Sequence, residues 1–126
     1  MKITILLFLL LFTSLEAKHL HKEKFYQNIF CKKIHGITEY VLNDKSRVDC
    51  LSSKYALEVD FANKWAESIG QSLFYAKKTN KVPAVLLIIE RGQKDIKYLK
   101  RFNTVAKKHG IQLFTIDRNL VIKRYK

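Results

Sequence analysis

Residues 47–75 read RVDCLSSKYALEVDFANKWAESIGQSLFY, two short strand-forming runs joined by a polar turn and followed at once by a helical pattern. In the second run Tyr55, Leu57, Val59 and Phe61 alternate with Ala56, Glu58 and Asp60. A period of two puts each set on its own face of a sheet, so two acids share one face. The first run carries a third acid, Asp49. A carboxylate in apolar, sheet-forming surroundings is costly to desolvate unless it opens to a cleft, is paired, or holds a cation. Asp49, Glu58 and Asp60 are therefore the candidates for chemistry.

Working outward, the pattern predicts a helix from Ala62 to Lys77, with Ala62, Trp65, Ala66, Ile69, Leu73 and Ala76 forming one apolar stripe laid on the sheet. Lys64, Ser68, Gln71, Tyr75 and Lys78 fall on a different side, and Lys64, Gln71 and Tyr75 align along one face. Upstream, Glu23 to Lys33 predicts a helix buried through Phe25, Ile29 and Phe30 and ended with the help of Gly36. Thr38 to Leu42 and Arg47 to Leu51 predict strands joined by a tight turn at Asn43-Asp44-Lys45. Downstream, Thr79-Asn80-Lys81 breaks the helix, and the apolar run Val82 to Ile89 reads as a strand covered on both faces. Gln93 to His109 reads as an amphipathic helix with Ile96, Leu99, Phe102, Val105 and Ala106 inward, closed by Gly110. Ile111 to Ile116 returns as a last strand, and Arg118 to Lys126 is left as a basic tail. The order αβββαβαβ predicts an α/β domain with a mixed central sheet flanked by helices.

The chain opens with Met1-Lys2-Ile3, an apolar run to Phe12, and then Thr13-Ser14-Leu15-Glu16-Ala17, the three-part pattern of a secretory signal. Residues 1–17 are expected to be a signal peptide cut after Ala17. Leu15 is large for its place before the cut, which leaves an uncleaved membrane anchor as the alternative. Residues 18–126 then form a single domain in the periplasm or medium. Lys18 to Lys22, basic and containing two histidines, are expected to fray. The net charge of +13 raises the local concentration of polyanions, so nucleic acid, anionic lipid and surface polysaccharide are all eligible partners. The two cysteines, Cys31 and Cys50, favour a disulfide in an oxidising compartment, with two buried thiols as the alternative. With His19, His21, His35 and His109 they show no paired ligand spacing, which argues against a zinc site.

A helix, then a three-stranded meander with one acid on its second strand and another on its third, then a helix and a further strand: this layout resembles the PD-(D/E)XK, or restriction-endonuclease-like, nuclease superfamily. The chain is also similar to a group of small exported bacterial proteins that run R-V-D-C-L and then E-x-D-F-x-x-K-W-A-E-x-I-G-Q-x-L-x-Y-A. Here those residues are Arg47 to Leu51, Glu58 to Phe61, Lys64 to Glu67 and Ile69 to Ala76.

The resemblance implies that Asp49 and Glu58 bind Mg²⁺ or Mn²⁺, that an accessory acid on or near the first helix completes the site, with Glu39 in that part, and that Gln71 and Tyr75 form the Q-x-x-x-Y pair of an exonuclease branch. Where the superfamily places a catalytic lysine, this chain has Asp60, so whether it is an enzyme is left open. Lys64, one turn into the following helix, is the substitute, and Lys54 lies at the wrong end of the strand. Mg²⁺ prefers hard oxygen ligands and usually takes one or two carboxylates plus water and phosphate oxygens, which is the chemistry these residue types offer. The leading expectation is a metal-dependent nuclease cleaving DNA or RNA phosphodiesters. The alternatives are a non-catalytic module of the same fold binding nucleic acid or another polyanion in the cell envelope, and a structural envelope protein whose acids pair with Arg47 or Lys64.

Overall fold

The computed structural model describes residues 18–126; the predicted signal peptide lies outside the described residues. The elements are α1 (Glu23–Lys33), β1 (Ile37–Val41), β2 (Arg47–Leu51), β3 (Tyr55–Phe61), a 3-10 turn (Ala62–Lys64), α2 (Trp65–Thr79), β4 (Val82–Ile89), α3 (Gln93–Lys108), β5 (Gln112–Asp117) and β6 (Ile122–Tyr125). The six strands lie in chain order in one mixed sheet. The outer pairs β1–β2, β2–β3 and β5–β6 are antiparallel, and β3–β4 and β4–β5 are parallel. Parallel neighbours need a crossover of a dozen or more residues, and α2 and α3 supply the two.

Helices cover both faces. Tyr26, Phe30 and Cys31 of α1 pack on Leu57, Val59, Leu86, Ile88 and Ile116, while Phe102 and Ala106 of α3, with Trp65, Ile69 and Leu73 of α2, cover Val85, Leu87 and Leu113. The alternating β4 residues Val85, Leu86, Leu87 and Ile88 are thus shared between two cores, as expected of a strand buried on both faces. β3 is buried along its whole length. Its two acids are therefore interior side chains.

Four expectations need correction. The inward face of α1 is Tyr26, Gln27, Phe30 and Cys31, and Phe25 is exposed. The turn after β3 is 3-10 geometry, and α2 then buries Ser68, Ser72 and Ala76 while Ala66 faces solvent. Both serine hydroxyls donate back to carbonyls three residues earlier, Ser68 to Trp65 O at 2.7 Å and Ser72 to Ile69 O at 3.0 Å, so small polar residues reach the sheet without an unmet donor. The basic tail contains a sixth strand. Asp117 Oδ1 accepts the N–H groups of Asn119 and Val121 at 2.8 and 3.0 Å and turns the chain back, an Asx-type turn that the charge run concealed. Lastly, Lys18–Lys22 is tied down rather than frayed: Glu90 accepts hydrogen bonds from Leu20 N, His21 N and Tyr26 Oη and binds the His19 ring.

Cys31 on α1 and Cys50 on β2 form a disulfide, which is compatible with a periplasmic or extracellular location. A loop of this size stabilises by about 3 kcal/mol. Gly36 helps end α1 through its N–H, which donates to Cys31 O at 2.9 Å, while His35 takes the left-handed conformation at φ 55°. Gly36 also makes room, since a Cβ there would collide with Cys50 Sγ and stand 2.9 Å from Cys31 Sγ. Gly36→Ala is expected to melt at least about 10 °C lower, the disulfide contribution converted at about 4 °C per kcal/mol. A calorimetric scan with and without reductant checks it, and a melting temperature equal to that of the parent protein would contradict the crowding argument.

Candidate active site

The site forms where β2 and β3 part. Their ladder consists of Cys50–Leu57 and Leu51–Ala56; the next step would pair Asp49 with Glu58, and there side chains take over from backbone. Asp49 Oδ2 accepts the Val59 N–H at 2.8 Å, and Asp49 O accepts Gln27 Nε2 at 2.8 Å. Alternation along β2 is interrupted at the same point. Val48 packs with Ala56 and Ala76, whereas Cys50, two residues on, belongs to the cluster under α1.

Gln27 is 2 % exposed, and its amide nitrogen also donates to Glu39 Oε1 at 3.1 Å. One α1 side chain therefore anchors both the β1 acid and the β2 acid. Glu39 lies between the Thr38–Cys50 and Tyr40–Val48 pairs, with φ at 55°, a conformation disfavoured for a residue with a Cβ. Its other oxygen is 3.9 Å from Arg47 Nε.

The structure thus brings Asp49, Glu58 and Asp60 together, with Glu39 beside Asp49. Glu58 is 4 % exposed and Asp60 7 %. Burial, then the charges of Asp49 and Asp60, push the Glu58 carboxyl up to about 10. Burial, then Glu23 and Asp49, push Asp60 up to about 8. Burial raises Asp49 to about 6 against the Val59 N–H, which favours its charged form. Asp49 and Glu58 act on one another directly, the Asp49 charge being the largest influence on Glu58 after burial. Glu58 Oε1 and Asp60 Oδ2 are buried without a hydrogen-bond partner among the described residues.

Sequence reasoning missed Glu23, the first residue of α1. Burial and the Asp49 charge raise it to about 7, and it contacts the Asp60 carboxyl and feels the Lys64 charge. Glu23 and Gln27 are four apart and share a helix face. That polar pair flanking the Tyr26/Phe30 stripe was the available signal.

Lys64 ends the 3-10 turn directly after β3, exposed, and its charge acts on both Asp60 and Glu23. Lys54 lies at the opposite end of β3, its ammonium 5.2 Å from the centre of the Tyr55 ring. Tyr75 packs against Val48, Ala56 and Ala76, and its hydroxyl is raised by burial and then by the charges of Glu58 and Asp49. Gln71 is exposed, and no hydrogen bond among the described residues links it to them. His35 is exposed at the end of α1, and Trp65 packs into the core under α2.

Among the described residues, no three His, Cys, Asp or Glu side chains are arranged to enclose a metal ion by themselves. The donor set still fits a hard divalent cation held by one or two carboxylates with its remaining positions open. Among the described residues two buried carboxylate oxygens lack a hydrogen-bond partner, and the charges that act on these acids are mostly negative. No protein-family model, curated protein or solved structure matches the chain.

Proposed function

We propose that this protein is a metal-dependent nuclease of PD-(D/E)XK type that hydrolyses DNA or RNA phosphodiesters outside the cytoplasm, reached through an N-terminal signal peptide. One observation carries the reading: where β2 and β3 diverge, Glu58 and Asp60 are buried beside Asp49, and among the described residues Glu58 Oε1 and Asp60 Oδ2 have no hydrogen-bond partner. Strand order, the acid on α1 and the crossover helix α2 are consistent with the restriction-endonuclease-like layout.

In this reading Asp49 and Glu58 hold Mg²⁺ or Mn²⁺, with Asp60 and Glu23 alongside. When bound, the cation neutralises phosphate charge and acidifies water. The protein's own residues do the rest. The Val59 N–H holds one oxygen of the Asp49 carboxyl, while Gln27 pins the Asp49 backbone by donating to its carbonyl. Lys64 places a positive charge next to an otherwise acidic centre and favours charge developing on the phosphate. Asp60, where the superfamily has lysine, adds negative charge instead, so Lys64 is the ammonium this chain has to offer. Tyr75, on the helix that follows β3, is the residue the resemblance assigns to orienting the strand.

The test is incubation of the purified protein with labelled single- and double-stranded DNA and RNA, with and without Mn²⁺. Cleavage that requires Mn²⁺ and disappears in Asp49→Ala is expected. Absence of cleavage at any metal concentration, or cleavage unchanged by Asp49→Ala, rejects the proposal.

Asp60 at the lysine position specifically favours a second reading, a non-catalytic module of the same fold binding nucleic acid or another polyanion through its +13 charge. That reading expects steeply salt-dependent binding that survives or improves in Glu58→Ala.

A further inference from the structure

Residues 18–22 have no regular structure, yet one carboxylate holds them in place. Glu90, just past the end of β4, accepts from Leu20 N at 3.1 Å, His21 N at 3.2 Å and Tyr26 Oη at 2.7 Å, and its Oε2 lies 3.0 Å from His19 Nδ1. The Glu90 side chain is 7 % exposed. Ordering a terminal segment costs about 1–2 kcal/mol per residue in backbone entropy, so a buried four-fold clamp on a stretch this polar calls for an explanation beyond solubility.

The clamp lays the His19 ring flat on Phe61, the last residue of β3, at 3.5 Å between centroids and 10° between planes. Lys18, His21 and Lys22 then line a cavity of about 620 Å³ together with Phe61, Lys64 and Glu23. Three of those residues are lysines. One of them, Lys64, borders the acid centre on this side together with Glu23. The cavity therefore adjoins the carboxylates, but its lining has the opposite sign.

The geometry points to this cavity as a binding subsite for a backbone phosphate of a single nucleic-acid strand, with residues 18–22 as its cationic wall and Glu90 as the clamp that sets the wall. The inference rests on the nuclease reading of the acid centre and names where the strand lies beside it. Lys18, Lys22 and Lys64 supply ammonium groups for phosphate oxygens, each a strong point charge on a flexible stem. The half-exposed His19 ring, backed by Phe61, offers a face for an unpaired base, and stacking of this kind tolerates any base. A repulsive acid centre needs such a counter-charge to admit a phosphodiester.

The experiment is fluorescence anisotropy of a labelled 12-nucleotide single-stranded DNA with the purified protein in EDTA, where nothing is cleaved, over a salt series. Lys18→Gln/Lys22→Gln is expected to weaken binding about tenfold and to flatten the slope of log affinity against log salt by about 1.4, two contacts at about 0.7 each. Glu90→Gln is the sharper variant. It makes the protein more positive by one charge, so a diffuse basic surface would bind as tightly or more tightly, whereas loss of the clamp is expected to weaken binding about tenfold. A circular dichroism melt of each variant reports folding, and if Glu90→Gln unfolds, the exposed lysine pair decides alone against Lys107→Gln/Lys108→Gln on α3. Unchanged affinity in the clamp variant, or a lysine-pair effect no larger than that of the α3 pair, overturns the subsite. Mn²⁺-dependent cleavage, read separately, stands or falls on its own.

Discussion

Glu58→Gln is expected to melt higher than the parent protein and to lose Mn²⁺-dependent cleavage by about a thousandfold. The two effects have one cause. Glu58 is buried, next to Asp49 and Asp60, and its Oε1 has no donor. Burial and those neighbours push its carboxyl up to about 10. At pH 8 the folded protein must therefore keep a proton on Glu58 that the unfolded chain has released, a cost of order 2 kcal/mol or more. Glutamine has the same shape, carries no charge, and its amide can donate to Asp49. The gain corresponds to a rise of several degrees at about 4–8 °C per kcal/mol. Yet an amide is a poor ligand for a hard divalent cation, and several kcal/mol of charge stabilisation would go with it, which is the thousandfold loss. A calorimetric scan at pH 8 in EDTA, beside a cleavage assay in Mn²⁺, reads both. A variant that melts lower and cleaves normally would mean that Glu58 is a structural acid.

Part of this site was legible in the chain because it depends on local periodicity. The alternation of Tyr55 to Phe61 puts Glu58 and Asp60 on one face whatever the rest of the fold does, and the bounds of β2, β3 and β4 follow from apolar runs closed by turn residues. What escaped depends on how distant pieces dock. Glu23 reaches Asp60, and Gln27 reaches Asp49, only because α1 packs beside the point where β2 and β3 part; the polar pair marks a face of α1 but not the strands which that face meets. On α2 the expected stripe of Trp65, Ile69, Leu73 and Ala76 does face the sheet, but Ala66 faces solvent and Ser68 and Ser72 were missed, because they satisfy their own hydroxyls on the helix and an apolar stripe cannot reveal polar residues that are neutralised locally. The strand β6 was hidden under charge: Ile122 and Tyr125 are its only partly buried side chains, separated by Lys123 and Arg124. Lys18–Lys22 reads as a frayed end because its order comes from Glu90, about seventy residues away in sequence. The fold class was thus a local property of the chain, and the completeness of the acid centre a tertiary one.

Without added metal, the protein is expected to lose stability as pH rises from about 5 to 8, and Mn²⁺ should flatten or reverse that slope. Asp49, Glu23, Asp60 and Glu58 are raised to about 6, 7, 8 and 10. Each therefore binds its proton more tightly in the folded state. Their contribution is fully present below the ordinary carboxylate range, near pH 4, and is lost as pH climbs through the folded-state values. A single net proton retained across those three pH units costs about 4 kcal/mol, at about 1.4 kcal/mol per unit. That corresponds to a drop of about 15 °C in melting temperature. The direction opposes that of most proteins, whose carboxylates are stabilised in the charged form and which weaken toward acid. A dication requires the same carboxyls deprotonated, so its binding strengthens as pH rises and, at a hundred times its dissociation constant, returns about 2.7 kcal/mol. Melting temperatures from pH 5 to 8, in EDTA and in Mn²⁺, for the parent protein and for Asp49→Ala, decide the matter. If the acids serve only as a structural cluster, the falling slope appears in EDTA but Mn²⁺ leaves it unchanged. If they form a cation site, the two curves diverge with rising pH in the parent protein and coincide in Asp49→Ala. A flat profile in EDTA would show instead that the four carboxyls are not desolvated together, which would remove the electrostatic need for a cation on which the nuclease reading depends.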